Sequence, residues 1–385
     1  MGKAPHMKIF VLAGEPSGDR LGGALMAGLR ELRPDVEFIG VGGPIMQSHG
    51  LDSLFPMEEL SIMGLAEILP KYFHLKRRIG QTAGFIAAEK PDVVITIDAP
   101  DFSLRVAKLV KDLTNIRTIH YVAPSVWAWR PKRAERMAHM IDHVLALLPF
   151  EPPLMTAHGM DCDFVGHPVV GERQATAEEA AAFRAAYGID DAPLILALPG
   201  SRKGEVNRLS DRFGAALAGV LQARPDARVV LPCAASVVDL VKEKTAQWSF
   251  DPILIDPATA GPMDKLAAFR AADVALAASG TVSLELAAAQ TPMVIAYDFT
   301  WITWQIMKRM ALIDTVTLVN LVSDTRVVPE FLGPDCLPDK MTPAILDVLD
   351  HPERQLEALN LTMERLGKGG EAPGLRAARA VLDRL

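Results

Sequence analysis

Short, nearly unbroken apolar runs alternate along this chain with longer stretches in which apolar residues recur every three or four positions. The first pattern predicts strands and the second helices, and their regular succession is that of a parallel sheet with helices on its faces. In the first half the predicted strands are Lys8–Gly14, Val36–Gly43, Val93–Asp98, Thr118–Ala123 and His143–Leu148. Helices are expected from about Gly18, from Met57, over Phe102–Leu113 and after Pro131. An Ala- and Glu-rich connector between Val170 and Asp191 carries no strand pattern. A second series follows with strands Leu194–Leu198, Arg228–Pro232, Ile253–Ile255, Val274–Ala278 and Met293–Tyr297. The fold class is therefore α/β, with two doubly wound Rossmann-like domains facing a cleft. Residues 8–170 form the first domain and 190–345 the second, while helices over 346–385 either close the second or cross back to the first.

Length agrees with this division, because 385 residues exceed what one core usually supports. Half of the residues are hydrophobic and 23% are charged, a globular composition. Cys162, Cys233 and Cys336 lie far apart in no metal-ligand spacing, as expected of a reduced cytoplasmic protein. A net charge of −7 argues against nucleic-acid binding, which wants a basic face. Cations nevertheless cluster at Lys71, Lys76, Arg77 and Arg78, and again at Arg130, Lys132, Arg133 and Arg136. These patches suit phosphates or an anionic membrane, or simply solvated helix faces. No apolar run approaches the roughly 20 residues of a spanning helix, and residues 1–7 read as a disordered leader.

Candidate chemistry sits where predicted strands end. Leu198-Pro199-Gly200-Ser201-Arg202 joins a strand to a helix, with glycine permitting close backbone approach and Arg202 offering a fork for phosphate oxygens. Ala278-Ser279-Gly280-Thr281 does the same, and Glu285 falls one turn into the following helix. Both segments are also ordinary turns and caps, so the pair in one domain carries more weight than either alone. In the first half, Gly14-Glu15-Pro16-Ser17-Gly18-Asp19 is an anion-receptive turn without Gly-x-Gly-x-x-Gly spacing, which argues against a dinucleotide. Asp98 ends an apolar strand, where partial desolvation would raise its pKa towards a general base; an N-cap is its plain role. Asp101 is expected to cap the helix beginning at Phe102. His120 is a rival base or a hydrogen-bonded core residue. Trp127 and Trp129 either grip a ligand or anchor the next helix.

Five motifs now stand in order: Glu15-Pro16-Ser17-Gly18-Asp19, Ile97-Asp98-Ala99-Pro100-Asp101-Phe102, His120-Tyr121-Val122 with Trp127-Ala128-Trp129-Arg130, Pro199-Gly200-Ser201-Arg202, and Ala278-Ser279-Gly280-Thr281. Together, across residues 8–332, they resemble the lipid-A-disaccharide synthases, inverting glycosyltransferases of the GT-B type. The resemblance implies transfer of 2,3-diacylglucosamine from its UDP donor to the 6-hydroxyl of 2,3-diacylglucosamine 1-phosphate, in a β linkage. It implies that Ser201, Arg202, Ser279, Gly280 and Thr281 meet the pyrophosphate and that Glu285 meets the ribose. Gly261 and Met263 would lie at the uracil, and Asn320 near the donor, although Val319 replaces a proline that some members carry. Asp98 would be the base, with Glu15, Ser17, Gly18, Asp19, Trp127 and Arg130 on the acceptor side. No cofactor or metal is expected, and Asp161-Cys162-Asp163 reads as a loop rather than a metal motif.

The apolar-then-basic segment Leu60–Arg78, and Trp301-Ile302-Thr303-Trp304 with Lys308 and Arg309, suit a lipid substrate at the cytoplasmic face of the inner membrane. Each also reads as core packing with a solvated end, and a homodimer contact is a further use for the tryptophans. Two other readings stay open. One is a different GT-B enzyme of UDP-sugars, such as a UDP-N-acetylglucosamine 2-epimerase, and the other is a non-catalytic lipid-binding regulator.

Overall fold

The computed structural model describes residues 6–60 and 65–385. The expectations for the 1–7 leader and for the start of the Leu60–Arg78 segment therefore fall largely outside the described residues. The chain divides into two compact units, one of residues 1–171 with 369–385, the other of residues 172–368.

The first unit is built on seven parallel strands: β1 (Lys8–Ala13), β2 (Glu37–Val41), β3 (Asp52–Ser53), β4 (Val93–Ile97), β5 (Arg117–Tyr121), β6 (His143–Ala146) and β7 (Asp161–Phe164). Their order across the sheet is β3-β2-β1-β4-β5-β6-β7. Connecting helices are α1 (Pro16–Leu32), α2 (Pro44–Ser48), α3 (Leu65–Glu89), α4 (Pro100–Leu113), α5 (Lys132–Met137) and α6 (Pro152–Thr156). β4 is buried at every position, as expected of a strand covered on both faces. One face packs Ile9, Val11, Ile95 and Tyr121 against Leu25 and Leu29 of α1, and the other packs Phe10, Leu12 and Val94 against Ile86 and Val106.

The second unit opens with α7 (Ala177–Ala186), whose N-terminus is a capping box of Thr176 and Glu179. Its six parallel strands are β8 (Leu194–Leu198), β9 (Arg228–Pro232), β10 (Ile253–Ile255), β11 (Val274–Ala278), β12 (Met293–Tyr297) and β13 (Glu330–Leu332), in the order β10-β9-β8-β11-β12-β13. Its further helices are α8 (Lys203–Ala223), α9 (Val238–Thr245), α10 (Asp264–Ala271), α11 (Val282–Ala288), α12 (Trp301–Met310), α13 (Leu318–Ser323), α14 (Pro338–Asp350) and α15 (Glu353–Arg365). The last helix, α16 (Pro373–Leu382), belongs to the first unit. There Ala377, Ala378 and Val381 join the core beside α1.

Asp161-Cys162-Asp163, expected as a loop, is strand β7 at a sheet edge. Its two carboxylates are neutralised by neighbours. Asp163 receives Nε and Nη2 of Arg384 at 2.6 and 3.0 Å and Nε2 of His143 at 2.8 Å, while Asp161 pairs with Arg384 and Arg117. No described helix is long and apolar enough to cross a membrane.

Candidate active site

Each sheet has one place where consecutive strands leave in opposite directions. In the first unit it lies between β1 and β4, and in the second between β8 and β11. The carboxyl-end loops at such a switch point diverge and leave a crevice, the usual ligand position of open α/β sheets. Four loops meet this condition, and four of the five motifs lie on them. The fifth begins at the end of β5, next to β4.

At the first switch point, the turn after β4 is strained. Asp98 and Ala99 both have positive φ, 49° and 43°, a left-handed conformation that L-residues avoid. Three contacts hold it: the Asp98 amide donates to the Tyr121 carbonyl at 3.0 Å, the buried Ser103 hydroxyl donates to the Asp98 carbonyl at 2.8 Å, and Ser103 N–H donates to the Ala99 carbonyl at 2.9 Å. A Cβ on Gly14 would stand 2.8 Å from that of Ala99, so glycine is what lets the β1 and β4 loops approach. Desolvation raises the Asp98 carboxyl above its ordinary range, partly offset by the Ala99 amide. α4 starts at Pro100, and Asp101 lies inside its first turn instead of capping it, because proline presets the first helical position.

His120 is buried, with Nδ1 2.8 Å from the Thr96 hydroxyl, and desolvation lowers its pKa to about 4. It is a neutral core histidine at physiological pH. Asp19 is also turned inward, accepting from the amides of Gly43, Ile45 and Met46 at 2.9 to 3.0 Å. It anchors α2 rather than presenting its carboxylate outward. Ser17 is exposed, Glu15 is half-buried and Gly18 buried on the same turn.

After β5 the chain carries two further left-handed residues, Val122 at φ 84° and Arg130 at 53°. Trp127 Nε1 donates to Glu151 at 3.2 Å and its ring meets Phe150 edge-on, while Arg130 lies over the Trp129 ring at 4.1 Å. Glu151 is 3% exposed and also accepts from the Leu148 amide at 3.0 Å, and burial pushes its pKa to about 7. The sequence carries no sign of this carboxylate's role, since it stands 24 positions from the tryptophan it holds.

At the second switch point, Gly200 has φ 116° and Arg202 stands extended at the start of α8. Arg202 is 65% exposed, and the Ser236 hydroxyl holds the loop through the Ser201 carbonyl at 3.1 Å. The β11 loop turns at Gly280, φ 152°, with Ser279 half-buried and Thr281 exposed. Glu285 pairs with Lys265 at 2.6 Å, a partner that sequence reading missed. The Gly261 amide is taken by Asp264 at 3.0 Å, and Met263 is half-buried at the start of α10.

Asn320, expected at the donor, is 1% exposed. Its Nδ2 donates to Thr315 Oγ1 and the Val328 carbonyl at 3.2 and 3.0 Å, and its Oδ1 accepts from the Val328 amide at 3.1 Å. The side chain braces the 315–328 turn instead of standing at a surface. Among the basic residues of α3, Arg78 is committed to Glu59 through two bonds of 2.7 Å and covers the Phe55 ring, so it is not a free surface cation.

Two parallel α/β units, each with motif loops at its switch point, make a fold of two Rossmann-like domains of the GT-B kind. Solved structures share it over nearly the whole chain. A putative UDP-N-acetylglucosamine 2-epimerase of Listeria monocytogenes matches with a TM-score of 0.61 and 16% identity, covering 98% of this chain and 95% of that one. HepE of Anabaena in complex with UDP-glucose matches with a TM-score of 0.60 and 13% identity over 99% and 100%. At such identities the likeness is one of fold. Sequence relatives are more specific. The lipid-A-disaccharide synthase of Ruegeria pomeroyi is 65% identical over 98% of this chain and 96% of its own length, and that of Rhodospirillum centenum is 46% identical over 97% and 94%. The family model for lipid-A-disaccharide synthetase matches residues 9–371. The chain belongs to the lipid-A-disaccharide synthase family and is an enzyme of that type.

Proposed function

We propose that this enzyme joins UDP-2,3-diacylglucosamine and 2,3-diacylglucosamine 1-phosphate, releasing UDP, with Asp98 as base and the second switch point as the donor seat. The observation that carries this reading is the position of Asp98, a desolvated carboxylate held on a strained turn at the first switch point. In the proposed step the acceptor 6-hydroxyl gives its proton to the Asp98 carboxylate and its oxygen bonds the donor's anomeric carbon. The bond from that carbon to the diphosphate breaks, and UDP leaves with the electron pair. A base with a raised pKa removes the proton more effectively than an ordinary aspartate. Arg202 and the amides of Ser201 and Arg202 stabilise the charge on the leaving diphosphate. Trp127, fixed by Glu151, and Arg130 supply an apolar wall and a cation for the acceptor.

The acyl chains call for an apolar approach. Tyr72 and Phe73 on α3 are 45% and 81% exposed, and Trp301, Ile306 and Leu312 on and after α12 are 74%, 50% and 60% exposed. Exposed Lys76 and Arg77, and Lys308 and Arg309, accompany them. Aromatic and aliphatic side chains with adjacent cations suit shallow insertion under anionic headgroups, and support peripheral contact with the inner membrane. Trp304 behaves differently: it packs on Phe299 and over Gly333.

UDP release from UDP-2,3-diacylglucosamine, followed with and without the monosaccharide 1-phosphate, tests the reading. Acceptor-dependent release that survives EDTA is the expected result. Release that does not depend on the acceptor sinks the transferase reading, and release lost to EDTA and restored by magnesium sinks the metal-free step.

A further inference from the structure

The seat assigned to the donor diphosphate already holds an anion, and it belongs to the protein. Glu205, in the first turn of α8, folds back so that its Oε2 accepts from the amides of Ser201 and Arg202 at 3.1 and 3.3 Å. Its Oε1 accepts from Arg202 Nη1 at 3.1 Å. These donors are the ones proposed to receive phosphate oxygens. The carboxylate also fills the space that glycine leaves open. A Cβ on Gly200 would stand 2.5 Å from both Cβ and Oε2 of Glu205. The side chain is only 11% exposed, while the arginine it holds is 65% exposed. Arg208 and Tyr297 lie close enough to share the same electrostatic cluster.

A glutamate three residues after the N-cap often accepts from the cap amide, and that is a purely structural device. Glu205 does more than this. It also takes the preceding amide and the guanidinium, the three donors that an anionic ligand approaching Gly200 would need. Two anions do not share one set of N–H donors, since each donor makes one strong bond and the like charges repel.

We propose that Glu205 is a built-in surrogate for the donor diphosphate. Its carboxylate keeps the Gly200–Arg202 loop in its binding shape while the seat lacks donor, and UDP-sugar enters by displacing it from Arg202 and the two amides. After transfer the same carboxylate returns to the seat and competes with UDP, which favours product release. This rests on the reading of the 199–202 loop as the diphosphate seat.

A protein whose binding-competent form is a minor fraction binds more weakly in proportion to that fraction, so weakening the internal competitor tightens the ligand. The test is calorimetric titration of the full-length enzyme with UDP and with uridine, for wild type, Glu205→Gln and Arg202→Ala. Glu205→Gln keeps the shape and removes the charge, and it should tighten UDP about three- to tenfold. Uridine lacks the phosphates, so its affinity should not move. Glu205→Asp, too short to reach the seat, gives the same test if the glutamine variant folds poorly, with melting curves as the check. Unchanged or weaker UDP binding in both variants overturns the proposal and leaves Glu205 a helix cap. Tightening of UDP and uridine alike also overturns it, because the effect would then not pass through the diphosphate. Arg202→Ala separates the two levels of inference: it loses UDP affinity if the seat is correctly assigned. Wild-type UDP binding in that variant removes the seat itself, and the surrogate with it.

Discussion

The two switch points are topologically alike and physically opposite. In the first unit the loops are tight, desolvated and strained: Asp98 and Ala99 are left-handed, Glu151 is buried beside Trp127, and Gly14 allows two loops to touch. In the second the turns rest on glycines at 200 and 280, and the chief cation, Arg202, stands mostly in water. Burial and strain tune a proton acceptor, because both act on the charged form of a carboxylate and on its direction. A seat for a large, charged and departing nucleotide needs accessible donors and room. On the proposed assignment, one fold repeated twice supplies a site suited to chemistry and a site suited to binding.

The sharpest way to break this contrast is Asp98→Asn. Loss of a general base should lower kcat by about 10²- to 10⁴-fold with UDP affinity unchanged. In wild type the acidic limb of the kcat/KM profile should lie above the ordinary carboxylate range, because desolvation raises the Asp98 pKa, and activity should rise with pH through it. Near-wild-type turnover in the variant would remove Asp98 from the mechanism.

The next effect tests burial in the first unit. Glu151 is held to about 7 in the fold against an ordinary 4.5, so the folded state binds a proton that the unfolded chain releases. Its contribution is fully present below about 4.5 and declines as pH rises to about 7, by about 3 kcal/mol across that window. His120 and His167, both lowered to about 4, slope the opposite way between about 4 and 6.5. The informative quantity is therefore the stability of wild type minus that of Glu151→Gln, measured by urea unfolding at several pH values. That difference should fall as pH rises, and a flat difference would mean that Glu151 is solvated.

Arg202→Ala sharpens the comparison from the other side. Loss of its charge-assisted contacts should weaken UDP about 10- to 100-fold. Folding stability should change by less than about 0.5 kcal/mol, since the side chain is 65% exposed. A fall in stability with no loss of UDP affinity would invert the assignment.

Much of this contrast was legible in the sequence, and the missing part has physical causes. All ten strands read from apolar runs are present: nine are central and must be apolar on both faces, and β10, though at an edge, is apolar throughout. β3, β7 and β13 were missed: each lies at a sheet edge, is two to four residues long and carries acidic residues, so it leaves no hydrophobic signature. β7 tolerates Asp161 and Asp163 only because Arg384, Arg117 and His143 arrive from distant parts of the chain. The four switch-point loops were legible as strand-to-helix turns. Which polar residues face inward was not, since Asp19 on the first of these loops and Asn320 in α13 are indistinguishable from exposed residues until the amides they bind are placed. Left-handed backbone at Val122 and Ala99 has no sequence sign at all, because neither residue type prefers it.

That hidden strain yields the smallest effect. Ala99 at φ 43°, ψ 53° costs roughly 1 to 2 kcal/mol relative to a relaxed residue, and glycine escapes that cost. Glycine also loosens the unfolded chain, which returns roughly 0.4 to 1 kcal/mol of the gain. Ala99→Gly should therefore stabilise the first unit by about 0.5 to 1 kcal/mol, seen as a higher urea midpoint. Its kcat should fall nonetheless, because a freer turn no longer fixes the carboxylate of Asp98. A change of the opposite sense at the second switch point, Gly200→Ala after β8, should destabilise, since its φ of 116° and the 2.5 Å approach of Glu205 leave no room for a methyl group. Opposite signs at the two switch points are what strain at one and glycine relief at the other require. An Ala99→Gly enzyme that gains stability and keeps full turnover would show that the strained turn does nothing for Asp98.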